Sequence, residues 1–135
     1  MSLPDEQQAS RVKLTSPRQG GYYMKMKEES HGDLLIVQVC SSRIDASKAP
    51  EFKQEITSRI ESGHTKLLLD FSMIDFIDST GLGALVACMR RLGGRDKLSI
   101  VGAKGAVICL FAMTRMDQVF ALYPTMDTAL AHQGT

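Results

Sequence analysis

The stretch LLLDFSMIDFIDSTGLGAL, from Leu67 to Leu85, carries the clearest structural pattern in the chain. Its unbroken Leu67–Leu69 run is typical of a sheet strand that is covered on both faces. A shorter apolar run leads from there to Asp78-Ser79-Thr80-Gly81, and a helix is predicted from about Thr80 to Leu92. The apolar positions of this helix fall on one stripe, formed by Leu82, Leu85, Val86 and Met89, and Gly93–Gly94 ends it.

The same alternation of strand and helix continues on both sides of this stretch. Further strands are predicted at Tyr22–Glu28, Leu34–Val39, Lys97–Val101 and Val119–Leu122, with Lys66–Phe71 as the central one. Further helices are predicted at about Ala46–Ser62, Ala106–Met113 and Met126–His132. This order indicates an α/β fold, with a mostly parallel sheet of four to five strands and about four helices.

The first predicted helix has clear start and stop signals. Asp45 is a plausible N-cap, and Gly63 is suited to the C-terminal end. Ala49, Phe52, Ile56 and Ile60 form its apolar stripe, and Lys53, Glu55, Arg59 and Glu61 fall on the other faces.

Composition and charge exclude several classes of protein. The chain has 135 residues and a formal net charge of +1, which argues against a nucleic-acid binder that uses a broad basic field. It contains neither an apolar run long enough to span a membrane nor a secretory signal, so we expect a cytoplasmic protein. Residues 1–21 are predicted to be a flexible tail, and residues 22–135 a single domain.

Cysteine and histidine patterns predict neither a metal nor a cofactor. Cys40, Cys88 and Cys109 lie in apolar stretches without CxxC spacing, so we expect buried, reduced thiols. Paired histidine ligands and a phosphate-binding P-loop are absent from the sequence. Asp70 and Asp75 are expected in turn or capping roles, and Met89 and Met113 in the core.

A hydrolytic role for Ser79 is disfavoured. A serine nucleophile needs a base within hydrogen-bond reach, and there is no GxSxG elbow. The three histidines, His31, His64 and His132, have no motif context. We therefore expect a protein that is not an enzyme.

The segment from Asp78 to Gly83 has two interpretations. One is an ordinary N-cap, in which a side-chain oxygen accepts from the first-turn amides. The other is a contact surface, because Gly81 and Gly83 would leave the backbone open to a partner. A hydroxyl here could also accept a phosphoryl group beside the positive end of the helix dipole.

The run from Leu67 to Leu85 resembles the signature of STAS domains, and specifically of bacterial anti-sigma factor antagonists. In that signature, Asp-Ser-Ser/Thr-Gly-Leu-Gly opens a helix after a strand and an apolar stretch. Arg43–Phe52 is similar to the family's loop into its first helix, and Leu98–Phe120 to its penultimate strand, helix and last strand. The resemblance covers about Tyr22 to Ala131.

The resemblance implies a phosphorylation switch. An anti-sigma factor with serine kinase activity binds the antagonist and thereby frees a sigma factor. Phosphorylation of the serine ends this binding, and a PP2C-type phosphatase restores it. The phosphoacceptor corresponds to Ser79, and the partner surface to Asp45, Asp78, Thr80, Gly81, Leu82 and Gly83.

Two positions depart from the family's pattern, and two other roles stay open. Ser42 stands where the family often has Gly before the loop aspartate, and Arg115 stands where it tends to have Gly before the last strand. The alternatives are a soluble adaptor or regulatory subunit of a transporter or signalling assembly, and a scaffold without phosphorylation. The sequence does not predict the oligomeric state.

Overall fold

The computed structural model describes residues 13–14 and 24–133. These residues form eight strands and four α-helices. In chain order they are β1 (Lys13–Leu14), β2 (Met26–His31), β3 (Leu34–Val39), β4 (Arg43–Ile44), α1 (Ala49–Glu61), β5 (Leu67–Asp70), β6 (Phe76–Ile77), α2 (Ser79–Leu92), β7 (Leu98–Val101), α3 (Gly105–Met113), β8 (Ala121–Tyr123) and α4 (Met126–Gln133). The predicted α/β class is confirmed.

The main sheet has the strand order β1-β2-β3-β5-β7-β8. Its pairs are antiparallel between β1 and β2 and between β2 and β3, and parallel from β3 onward. Five strands thus make the predicted mostly parallel sheet, and the two-residue β1 is added at its edge. The sequence predicts a flexible tail at Lys13 and Leu14, but these residues pair with Glu28 and Lys27. The rest of that tail, and Tyr22, lie outside the described residues.

The sheet separates two hydrophobic cores. The larger core packs Leu67, Leu69 and the alternate residues of neighbouring strands against α1, α2 and α3. The smaller core lies on the other face, where Leu68 packs with Ala129 of α4. Strand β5 is therefore covered on both faces, as its unbroken leucine run predicts.

Helix α1 begins three residues later than predicted. It starts at Ala49, and Lys48 precedes it without a side-chain cap. Pro50 lies in the first turn, where its fixed φ is favourable and its missing N–H costs nothing. Asp45 instead organises the turn before the helix, because its carboxylate accepts from the amides of Ser47 and Lys48. The prediction that Asp45 is the helix N-cap is therefore wrong.

Two residues assigned to the polar faces of α1 are buried. Glu55 is 2% exposed and Arg59 is 7% exposed. The Arg59 guanidinium pairs with Glu55 (3.2 Å) and with Glu28 of β2 (2.7 Å). These two carboxylates neutralise the guanidinium, so a charged residue is accommodated at a buried position.

Helix α3 is apolar on all sides, and the sequence predicts that Val107, Leu110 and Phe111 face the core; Leu110 is half-buried against it. Val107 and Phe111 point into the core. Met113 is 79% exposed, and the Cys109 thiol is also exposed, so the predictions that both are buried are wrong. Cys88 is buried and Cys40 half-buried, and Met89 is half-buried against the larger core. Within the described ranges, no helix is long and apolar enough to cross a membrane.

Candidate functional site

A second, two-stranded sheet joins the two segments singled out from the sequence. Strands β4 and β6 run parallel, with Arg43 opposite Phe76 and Ile44 opposite Ile77. The carbonyl oxygen of Ile44 also accepts from the Asp78 amide at 3.3 Å. This pairing brings the turn at Asp45 to the N-terminus of α2, so both lie at one end of the molecule.

The N-terminus of α2 leaves the Ser79 hydroxyl free. Asp78 is the N-cap, and its Oδ1 accepts from the Gly81 amide at 3.0 Å. Ser79 is the first helical residue, and both Ser79 and Thr80 are exposed. Because Asp78 performs the capping, the capping role and an available hydroxyl coexist. Ser79 lies at the positive end of the helix dipole.

The two glycines of the motif have different environments. Gly83 is exposed, and a Cβ placed there would meet nothing within 4 Å. Gly81 is buried, and a Cβ there would overlap the carbonyl oxygen of Ile44 and lie 2.9 Å from the Ile77 side chain. The expectation that both glycines open the backbone to a partner therefore fails for Gly81, where close packing against β4 requires glycine.

The remaining predicted contact residues lie at different depths. Leu82 is 6% exposed and belongs to the larger core, so its side chain does not face a partner. Asp45 and Asp78 are half-buried. The exposed part of the motif thus consists of Ser79, Thr80 and Gly83, with the two carboxylates beside it.

The Asp45 carboxylate is held by four donors. Its Oδ1 accepts from the Ser47 hydroxyl at 2.7 Å and from the Ser47 and Lys48 amides at 3.1 and 3.2 Å. Its Oδ2 lies 3.0 Å from Nε of Arg43. The Ser47 hydroxyl is the largest influence, and together these partners lower the pKa of Asp45 below its ordinary value. Asp45 is therefore negatively charged at neutral pH.

Sequence reasoning missed the side chains that surround this motif. The Arg43 guanidinium lies over the Phe76 ring, 5.4 Å from its centroid. Met73 and Phe76 are exposed before α2, and Ile108 and Met113 are exposed on α3. The sequence did contain a signal for the exposed apolar residues of α3, because this helix has no polar face. An apolar surface next to exposed polar groups is typical of an interaction site.

The site offers no arrangement for catalysis by Ser79. Its hydroxyl has no hydrogen-bonded base among the described residues. His31 is exposed in the β2–β3 hairpin, and His132 stacks on Tyr123 at the far end of the chain. Asp70, one of the two acidic residues considered near β5, accepts from the Ser72 amide at 2.9 Å and so has the predicted turn role. The described residues contain no cluster of three or more His, Cys, Asp and Glu side chains fit for a metal ion.

Arg115, which stands where the family tends to have glycine, adopts a left-handed conformation. Arg115 has φ +64° between α3 and the 3₁₀ turn Met116–Gln118, a conformation that glycine adopts most easily. It is the one non-glycine residue with positive φ among those described.

Comparison with known proteins places this geometry in a family. The model of the STAS domain matches residues 25–129. The chain is 24% identical to the anti-sigma-F factor antagonist RsfB of Mycobacterium tuberculosis, over 74% of this chain and 81% of that protein. It is 25% identical to the anti-sigma-B factor antagonist of Listeria monocytogenes, over 73% of this chain and 84% of that protein.

A solved structure shows the same architecture. The crystal structure of an anti-sigma factor antagonist from Mycobacterium paratuberculosis is 29% identical, with a TM-score of 0.71, over 98% of this chain and 97% of that one. These relatives are named as antagonists of anti-sigma factors and not as enzymes, which agrees with the expectation that the chain is not an enzyme. The relatives named here are anti-sigma factor antagonists, and the chain itself belongs to the STAS domain family.

Proposed function

We propose that this protein binds an anti-sigma factor with serine kinase activity, and that phosphorylation of Ser79 ends the binding. The bound antagonist frees a sigma factor, and a PP2C-type phosphatase restores the unphosphorylated form. The observation that carries the proposal is the exposed Ser79 hydroxyl at the first position of α2, directly after the Asp78 cap.

The surroundings of Ser79 support a protein partner. Exposed Met73 and Phe76 give apolar contact area, and Gly83 allows close approach to the helix backbone. Interfaces combine an apolar centre with polar groups at the rim, and Asp45 supplies a fixed negative charge close by. These features suit a partner that presents apolar side chains and a cation.

The charge change explains why phosphorylation would release the partner. The kinase transfers the γ-phosphoryl group of ATP to Oγ of Ser79, so that ADP leaves and the hydroxyl proton passes to a base of the kinase. The phosphate carries about −1.5 to −2 charge at neutral pH. It would stand beside the carboxylates of Asp45 and Asp78, where a partner that fits the neutral hydroxyl meets a bulky dianion. A partner surface that fits a neutral hydroxyl has no groups to satisfy this dianion, so the cost of removing the phosphate from water opposes binding.

Partner capture tests the proposal. Wild type, Ser79→Ala and Ser79→Asp are used as baits in bacterial lysate, and captured proteins are identified by mass spectrometry. We expect an anti-sigma factor with a kinase domain on wild type and Ser79→Ala, and its loss on Ser79→Asp. Ser30→Asp is the matched control, because it makes the same substitution at an exposed position of β2, outside the proposed docking surface, and it should still capture the partner.

A different capture result would assign another role. Transporter subunits bound equally by all baits would indicate a soluble adaptor, and Ser79 would then be an ordinary residue of a capped helix. Equal capture of the kinase by wild type and Ser79→Asp would contradict the switch.

A further inference from the structure

We propose that Arg43 is the phosphate-binding residue of the phosphorylated protein. When Ser79 carries a phosphoryl group, Arg43 leaves Asp45 and pairs with the phosphate. The inference rests on the proposed function, because it concerns the phosphorylated form of Ser79.

The pairing of β4 with β6 places Arg43 beside the start of α2. Side chains at paired positions of neighbouring strands project to the same face, and the Arg43–Phe76 contact shows this directly. Three residues after Phe76 the chain reaches Ser79. The carbonyl oxygen of Ile44, the residue next to Arg43, accepts from the amide of Asp78, the residue next to Ser79.

Arg43 has hydrogen-bond donors that its contact with Asp45 does not use. Its side chain is 55% exposed, and Nε makes the contact with Asp45. Its two terminal nitrogens carry four further N–H groups, in the planar fork that binds phosphate oxygens in pairs. Among the described residues, the structure gives these terminal nitrogens no hydrogen-bond partner.

Asp45 can lose Arg43 without becoming an unsatisfied carboxylate. Three donors remain on its Oδ1, from Ser47 and Lys48. A phosphate dianion attracts a guanidinium more strongly than a carboxylate does, and it also gains from the helix dipole. Lys104, a nearby cation, already donates to the carbonyl oxygen of Ser72 and lies 3.9 Å from Asp75. Arg43 is therefore the cation best placed to move.

The exchange would make one modification act on two docking groups. The phosphate changes Ser79 directly, and the departure of Arg43 leaves Asp45 without its neighbouring cation. The side chain of a Ser79→Asp variant is shorter than phosphoserine and carries a single charge. The variant should therefore imitate the direct effect of a negative charge at position 79 better than the movement of Arg43 away from Asp45.

Phosphate titration tests the inference without a kinase or a partner. Phosphoserine is introduced at position 79 during translation, and the second pKa of the phosphate is measured by ³¹P NMR. The same measurement is made on Arg43→Gln and on Lys27→Gln, which removes one exposed positive charge from β2. Backbone amide spectra verify that all three are folded.

We expect the phosphate pKa to be higher in Arg43→Gln than in wild type by about 0.5 unit or more, because a nearby cation stabilises the dianion. Lys27→Gln should match wild type. The Nε–H signal of Arg43 should also shift between the unmodified and phosphorylated proteins. Equal phosphate pKa values in wild type and Arg43→Gln would overturn the inference.

The outcomes separate this inference from the proposed function. The installed phosphoserine does not depend on whether a kinase recognises Ser79, so a failed titration leaves the capture result intact. Conversely, capture that is insensitive to Ser79→Asp would contradict the switch and leave the measured Arg43–phosphate contact unaffected.

Discussion

The carbonyl oxygen of Ile44 occupies the space that a side chain at Gly81 would need. Gly81 is in the first turn of α2, and Ile44 ends β4, so the helix and the small sheet meet with backbone against backbone. Asp45 directly follows Ile44 in the chain, and Ser79 lies two residues before Gly81. The contact therefore fixes the distance between the two segments of the proposed docking surface.

Replacing Gly81 with alanine should destabilise the fold. The new methyl group would overlap a backbone oxygen, so β4 or α2 must shift, at a cost of about 1–3 kcal/mol. Gly83→Ala is the matched control in the same helical turn. It has open space and gains helix propensity, so it should stabilise by up to about 1 kcal/mol. Urea unfolding of both variants measures the difference, and equal stabilities would contradict the packing described at Gly81.

Removing the Ser47 hydroxyl should raise the pKa of Asp45. The folded-state pKa of Asp45 is lowered, chiefly by the Ser47 hydroxyl, so its contribution to stability is present above its unfolded-state pKa. That contribution is lost as the pH falls through the lower, folded-state pKa. Ser47→Ala should move the pKa upward, as followed by carboxyl ¹³C NMR. Ser30→Ala, at an exposed position of β2, should leave the pKa of Asp45 unchanged, and the same pKa in wild type and Ser47→Ala would contradict the role of the Ser47 hydroxyl.

The cysteines should differ in reactivity. Burial raises the pKa of Cys88 to about 11, whereas Cys109 is exposed. At pH 8 a thiol reagent should modify Cys109 first and Cys88 only after denaturation, because the thiolate is the reactive form. Mass spectrometry of partly labelled protein locates the label. Since the folded-state pKa of Cys88 exceeds its ordinary value of 9.0, its contribution to stability should fall as the pH rises from about 9 to 11. Rapid labelling of Cys88 in the native protein would contradict its burial.

Glycine at position 115 should stabilise the protein. Arg115 has φ +64°, and a left-handed conformation costs an ordinary residue about 1 kcal/mol. Part of that gain is offset by the greater freedom of glycine in the unfolded chain, so a net gain of about 0.5 kcal/mol is expected for Arg115→Gly. Arg115→Ala keeps the strain and should give no such gain. Thermal unfolding compares them, and similar melting temperatures for the two variants would refute the strain.

The regular elements were predictable because their side-chain patterns are long enough to show a period. Strand β3 has the predicted bounds, Leu34–Val39, and the predicted helix from Thr80 to Leu92 differs from α2 by one residue. Ser79 is exposed, and the contact surface inferred from the motif stays a prediction. Strands β4 and β6 were not predicted. Each has only two residues, which is too short to show a period, and each is formed by pairing with the other.

The errors arose where tertiary packing decides the outcome. Glu55 and Arg59 occupy polar positions of the helical pattern, yet both are buried, and Arg59 pairs with Glu55 and with Glu28 on a distant strand. Met113 is apolar but exposed, because α3 offers more apolar surface than the core can cover. Gly81 was assigned to an open surface, and only the position of Ile44 shows why glycine is needed there.

The most direct test of the central claim is the affinity of the captured partner before and after incubation with ATP and Mg²⁺. Binding of wild type and Ser79→Ala is measured by surface plasmon resonance, and the modified residue is located by mass spectrometry. We predict that wild type is phosphorylated at Ser79 and loses at least about tenfold in affinity, equivalent to 1.4 kcal/mol, whereas Ser79→Ala is unchanged. Unchanged wild-type affinity despite phosphorylated Ser79, or an equal loss in Ser79→Ala, would contradict the account.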